Sequence, residues 1–178
     1  MILFVSMNLF SGFDTRDFDV NVIRALQSQL SKETLDQISF RMVGQAKPWH
    51  LTAHKIMQGI NYVHDTKGPA EAIKSFRYFL DNIVAWDNTA LETKSINQFM
   101  NDLAGQFERM SGVSKAALLP QLAHTSSYDG KARYEFKHTV GNRYSGLNPT
   151  IYVNGAKVDD GLNIPLEGWK KLILDLLK

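Results

Sequence analysis

The sequence predicts an α/β protein in which a block of helices interrupts a small sheet, and three observations carry that expectation. The first 45 residues alternate strand, helix and strand. Residues 50 to 144 show a run of 3.6-residue apolar stripes. Near the end, Asn148-Pro149-Thr150-Ile151-Tyr152-Val153-Asn154-Gly155 reads as a proline, a short strand and the commonest two-residue hairpin turn.

Taken in order, Ile2 to Met7 is a buried-strand pattern and Asn8 to Gly12 a loop. Asp14 or Thr15 can cap a helix whose stripe is Phe18, Val22, Ile23, Leu26 and Leu30, ending near Ser31. Ile38, Phe40 and Met42 alternate with polar residues as a second strand, closed by Gly44 and Pro48. Strand, helix and strand in this order imply a right-handed crossover and parallel pairing.

The helical block opens with His50 to Val63, carrying Leu51, Ile56, Ile60 and Val63. Gly68-Pro69 starts a second helix with Ile73, Phe76, Leu80, Ile83 and Val84. The third carries Ile96, Phe99, Met100, Leu103, Phe107 and Met110 up to Gly112, and Ser114 caps a short fourth with Leu118 and Leu122. Asp129 is placed to cap a fifth, with Ala132, Phe136, Val140 and Tyr144. After the proline strand, Ala156 to Asp159 forms the hairpin partner, Asp160-Gly161 turns, and Leu166 to Leu177 closes the chain with Leu166, Trp169, Leu172, Ile173, Leu176 and Leu177 on one side.

Composition narrows the chemistry. With 178 residues, 44% of them hydrophobic and 21% charged, the chain can bury a core without a covalent staple. Its formal charge of +2 gives no basic stripe for nucleic acid. There is no cysteine, which excludes disulfides, thiolate metal sites and thiol nucleophiles. No run approaches the roughly 20 apolar residues of a membrane span, and the apolar start lacks a basic leader, so a soluble cytoplasmic chain without a membrane partner is expected.

The order of elements resembles the thioredoxin fold as used by the DsbA-like family and by kappa-class glutathione transferases, with a large helical insertion after the second strand. Asn148 to Gly155 looks like that family's cis-proline strand and following turn. Gln45-Ala46-Lys47-Pro48-Trp49-His50 is similar to a segment found in one branch of it. The resemblance implies a thioredoxin-like domain over 1–47 and 128–178 and an inserted helical domain over 48–127. It also implies a C-x-x-C motif at the first helix, and here Gly12-Phe13-Asp14-Thr15 stands in its place. Disulfide exchange needs an attacking thiolate, which none of these can supply.

What the resemblance leaves is a redox-inactive binding or interaction protein with a vestigial cleft, formed by the helix start and by Asn148, Pro149 and Thr150, open to an extended peptide. Asn148 departs from the Thr or Val usual before this proline. The competing expectation is a thiol-independent glutathione transferase or isomerase using Ser11, by position alone, with glutathione as its cofactor.

Other candidates have plainer accounts. His50 and His54 share a helix face as in H-E-x-x-H, but Leu51 replaces the glutamate and no third ligand is spaced for a metal. Ser126, His124 and Asp129 form a triad only on paper, without a nucleophile elbow. His64 and His138 are isolated, and Trp49, Trp86 and Trp169 stand beside apolar stripes as core residues.

Overall fold

A computed structural model describes residues 2–8, 13–46, 50–141 and 150–178. Strands β1 (Ile2–Asn8) and β2 (Ser39–Gln45) pair in parallel, with Ile2 beside Ser39 and Asn8 beside Gln45. β3 (Thr150–Val153) runs antiparallel to β1, and β4 (Ala156–Lys157) antiparallel to β3. The sheet order is β2-β1-β3-β4. The hairpin turn has Asn154 at φ 50° and Gly155 at φ 85°, the two positive values a type I′ turn requires. Its second strand is shorter than the expected Ala156 to Asp159, although Val158 still donates to the Ile151 carbonyl at 2.9 Å.

The helix after β1 begins at Phe13, so Asp14 and Thr15 lie within its first turn rather than capping it. It comprises α1 (Phe13–Phe18), a π-helical segment (Asp19–Arg24) and α2 (Ala25–Gln29). The wide turn keeps Phe18, Val22, Ile23 and Leu26 buried while bringing Asp19 inward too. Ser31, accepting from the Thr34 amide, caps the short α3 (Lys32–Leu35), which lay outside the sequence expectation because four residues leave no periodicity to read.

The helical block follows β2: α4 (Leu51–Lys67), α5 (Pro69–Asp81), α6 (Ile83–Trp86), α7 (Ile96–Ser111) and α8 (Lys115–Leu118). Ser95 and Gln98 close a reciprocal capping box at the start of α7, and Gly112 ends it in the left-handed conformation. At Gly59 α4 comes so close to α7 that an added Cβ would lie 2.6 Å from Phe107 Cζ. Phe79, Phe99, Phe107, Ile56 and Leu80 fill the centre of the block. Trp86 touches Phe79 and Phe99 edge-on, with centroids 5.3 and 5.9 Å apart.

Two expected stripe members turn out exposed. Val84 is 75% exposed because α5 stops at Asp81 and Asn82 breaks the stripe before α6, and Leu51 sits at the open first turn of α4. α9 (Ser127–Gly141) packs against both α4 and β2. Its cap is Ser126, whose Oγ accepts the Asp129 amide at 3.2 Å. Asp129 was the sequence choice for that role, but its carboxylate is drawn inward by histidines from other segments. Tyr144 lies outside the described residues.

α10 (Leu166–Leu176) lies against the π segment and α2. Trp169 and Ile173 are fully buried, the Trp169 ring meeting Phe18 edge-on at 5.9 Å and its Nε1 donating to the Gly161 carbonyl at 3.2 Å. Leu176, expected on the buried side, is exposed because it falls in the frayed last turn.

Candidate functional site

The sequence placed a site where β1 gives way to the first helix and where β3 begins. In the sheet, Thr150 pairs with Ser6, so the start of β3 lies beside the end of β1, and Phe13 opens α1 five residues after Asn8 ends β1. Thr150 is half-buried, and Thr15 is fully buried inside the first turn of α1. Ser11, Gly12, Asn148 and Pro149 lie outside the described residues, as do Trp49 and the expected cis bond at Pro149. The strand order sets the start of β3 beside the end of β1, with Thr150 against Ser6.

His54 joins His124 and Asp129 of the paper triad in a structural cluster. His54 Nε2 lies 2.9 Å from Asp129 Oδ1, His124 Nδ1 lies 3.2 Å from the same oxygen, and Arg133 Nε donates to Oδ2 at 2.6 Å. Burial opposes charge on Asp129, but these three donors more than offset it and hold its carboxyl below the usual range. Burial pushes His54 down against the pull of Asp129, so a neutral imidazole donating from Nε2 fits both groups. The Ser126 hydroxyl is committed elsewhere, donating to the Gln121 carbonyl at 2.7 Å while capping α9. Among the described residues no group of three or more His, Cys, Asp or Glu side chains is arranged for a metal ion.

Beneath this cluster Lys55, only 1% exposed, donates Nζ to the Leu122 carbonyl at 2.6 Å. Gln58 Nε2 donates to the Gln121 and Ala123 carbonyls at 3.3 and 3.2 Å. One face of α4 thus satisfies the carbonyls of the 3-10 turn Leu119–Leu122 and fixes the chain where it enters α9. These are anchoring bonds.

Two other acidic residues join the helical block to the elements around the sheet. Asp19, fully buried on the π segment, accepts from Arg24 Nε at 2.6 Å and from Arg77 Nε and Nη2 at 3.2 and 3.0 Å. Arg24 also holds Asp81 through Nη2 at 3.1 Å, and Arg16 Nε lies 3.9 Å from the same carboxylate, so the first helix and α5 are tied by a five-residue ionic network.

The second is Glu135 on α9, which opens into a groove of about 600 Å³ between β2, α4, α5 and α9. Phe40, Ile60, Ile73 and Phe76 give the groove its apolar walls. Asn61 Nδ2 donates to Glu135 Oε2 at 3.2 Å. Desolvation against those walls outweighs the Asn61 bond and the nearby Lys131 and His64, and pushes the Glu135 carboxyl up to about 7. At the rim Lys131 is paired with Asp65 and lies over the Tyr128 ring at 5.0 Å, while Tyr128 meets Tyr62 edge-on. Sequence reading passed over Glu135 because a lone glutamate in a helix carries no local mark. Only the long-range packing of α9 on β2 and α4 removes it from water.

No protein-family model matches the chain, and no curated protein matches it. Two solved structures share its architecture. One is a candidate protein-disulfide isomerase from Pseudomonas syringae, 18% identical, covering 97% of this chain and 92% of that one with a TM-score of 0.69. The other is MdbA, a thiol-disulfide oxidoreductase from Actinomyces oris, 16% identical, covering 98% of this chain and 79% of that one with a TM-score of 0.65. The fold is accordingly the thioredoxin-like one with a DsbA-type helical insertion, and this version of it contains no cysteine. Among the described residues no helix is long and apolar enough to cross a membrane.

Proposed function

We propose that this protein is a redox-inactive binding protein, taking an extended peptide or protein segment at the sheet end where the first helix and β3 meet. The observation that carries the reading is the conjunction of that end, with Ser6 and Thr150 in register, and a sequence holding no cysteine. The structural neighbours are described as a candidate protein-disulfide isomerase and a thiol-disulfide oxidoreductase, whereas this sequence holds no cysteine, and the family resemblance implies that Gly12-Phe13-Asp14-Thr15 stands in place of the C-x-x-C motif. Dithiol exchange requires a thiolate, so in this reading recognition rests on backbone donors at the start of α1 and on the strand backbone from Thr150 onwards.

The test is amide NMR of the isotope-labelled chain titrated with reduced, carboxymethylated α-lactalbumin as an unfolded, thiol-free probe. Shifts centred on Ser6, Thr150 and Ile151, together with no acceleration of oxidative ribonuclease refolding, are expected. Absence of shifts there, or faster refolding, overturns the reading. Micromolar glutathione binding that disappears in Ser11→Ala would replace it with the transferase or isomerase alternative.

A further inference from the structure

We infer that the groove between β2, α4, α5 and α9 is a binding site for a small amphipathic monocarboxylate, an aryl- or alkyl-substituted acid that pairs its carboxylate with Arg41 and lays its hydrocarbon on Phe40, Ile60, Ile73 and Phe76. The site is separate from the sheet end and holds whether or not that end takes a peptide.

The strand order makes such a groove possible. β2 is an outer strand in the order β2-β1-β3-β4, so one groove can border two successive residues of it, Phe40 supplying a ring and Arg41 a charge. Met57 and Ile60 of α4 and Ile73 and Phe76 of α5 complete the hydrocarbon surface. A volume of about 600 Å³ is the scale of small-molecule sites, which join apolar walls to a few polar groups.

The sign of the ligand's charge follows from how the charged lining is already engaged. Lys131 of α9 is paired with Asp65 of α4, and His64 Nδ1 lies 3.3 Å from the same carboxylate. Those opposite charges cancel locally. Glu135 is bonded by Asn61 Nδ2 at 3.2 Å and engaged beyond that bond, so the ligand is asked to use no acceptor on it. α5 brings only Pro69, Ala72, Ile73 and Phe76 to the lining. Arg41 is what remains: it is exposed, and among the described residues no ion pair neutralises it. A guanidinium keeps its charge at every accessible pH, and its fork of N–H donors matches a carboxylate in two parallel bonds. An ammonium ligand would be repelled there, and an uncharged one would forgo the pairing.

Glu135 sets the pH dependence without touching the ligand. Burial lifts its carboxyl to about 7, so below neutrality it is mostly protonated and the charge of Arg41 is unopposed. As pH rises through 7 the acid ionises and places a second negative charge in the groove, so affinity for a carboxylate falls. The ligand itself stays ionised across that range, because an ordinary carboxylic acid titrates near pH 4 to 5.

Calorimetry and methyl NMR with 3-phenylpropionate, 3-phenylpropan-1-ol and 3-phenylpropylamine test the site on the intact chain. The propionate is expected to bind more tightly than the other two, to shift the methyl signals of Met57, Ile60 and Ile73, and to lose about fivefold in affinity from pH 6 to 8. Arg41→Gln, a change at an exposed position, is expected to cost about tenfold in propionate affinity at pH 6 and to leave binding of the alcohol unchanged. Glu135→Gln is expected to keep at pH 8 the affinity that the parent shows at pH 6. Equal or tighter binding of the alcohol or the amine, full propionate affinity in Arg41→Gln, or no methyl shift at millimolar propionate overturns the site. A propionate affinity that does not fall between pH 6 and 8 overturns the part assigned to Glu135.

Discussion

Asp19 and Glu135 stand at the two junctions where the helical block meets the elements around the sheet, and the fold treats them oppositely. Asp19 is wholly removed from water but is held by two arginines, one from its own helix and one from α5. Glu135 keeps some exposure but faces apolar walls, and Asn61 donates to one of its oxygens. Burial alone therefore does not decide what a carboxylate does. One met by two guanidinium groups closes a joint, and one set against hydrocarbon has its proton affinity raised.

Asp19→Asn breaks the contrast most forcefully. It leaves the Arg24 and Arg77 guanidinium groups facing an amide, and should cost about 3 kcal/mol in urea unfolding at pH 8, at the low end for buried pairs because both arginines reach solvent. Gly59→Ala comes next. It drives a methyl into the Phe107 ring without touching either junction and should cost on the order of 2 kcal/mol, separating effects carried by α4 from those carried by charge.

The same carboxylate-to-amide change at Glu135 should have the opposite sign. An acid whose folded value is raised binds more protons folded than unfolded, so its ionisation erodes stability as pH climbs from the ordinary range near 4.3 towards 7. Glu135→Gln removes that penalty, and the variant should be more stable than the parent by about 1 to 2 kcal/mol at pH 8 and near parity at pH 4, read by thermal and urea unfolding at both pH values. The smallest effect is Asn61→Ala, which removes a donor that favours the charged form and should raise the Glu135 midpoint by about half a unit to one unit by NMR titration.

Much of the architecture was legible because it rests on local rules. Gly112 past a stripe, Pro69 opening a helix, and Asn154-Gly155 between strands each fix a boundary within a few residues. The strand-helix-strand order likewise foretold the parallel pairing of β1 and β2. What escaped depends on partners distant in sequence. The π segment exists where Asp19 turns inward to Arg77, 58 residues away, and the first-turn Asp129 is held by His54 from another helix. The groove acid was invisible for the same reason, since Glu135 acquires its environment from Asn61 and Phe40.

A carbon-detected NMR titration of the Glu135 side-chain carboxyl tests the poised-acid account directly. A midpoint near 7 is expected, because desolvation against the groove walls disfavours the ionised form. A midpoint in the ordinary range near 4.3 would contradict it.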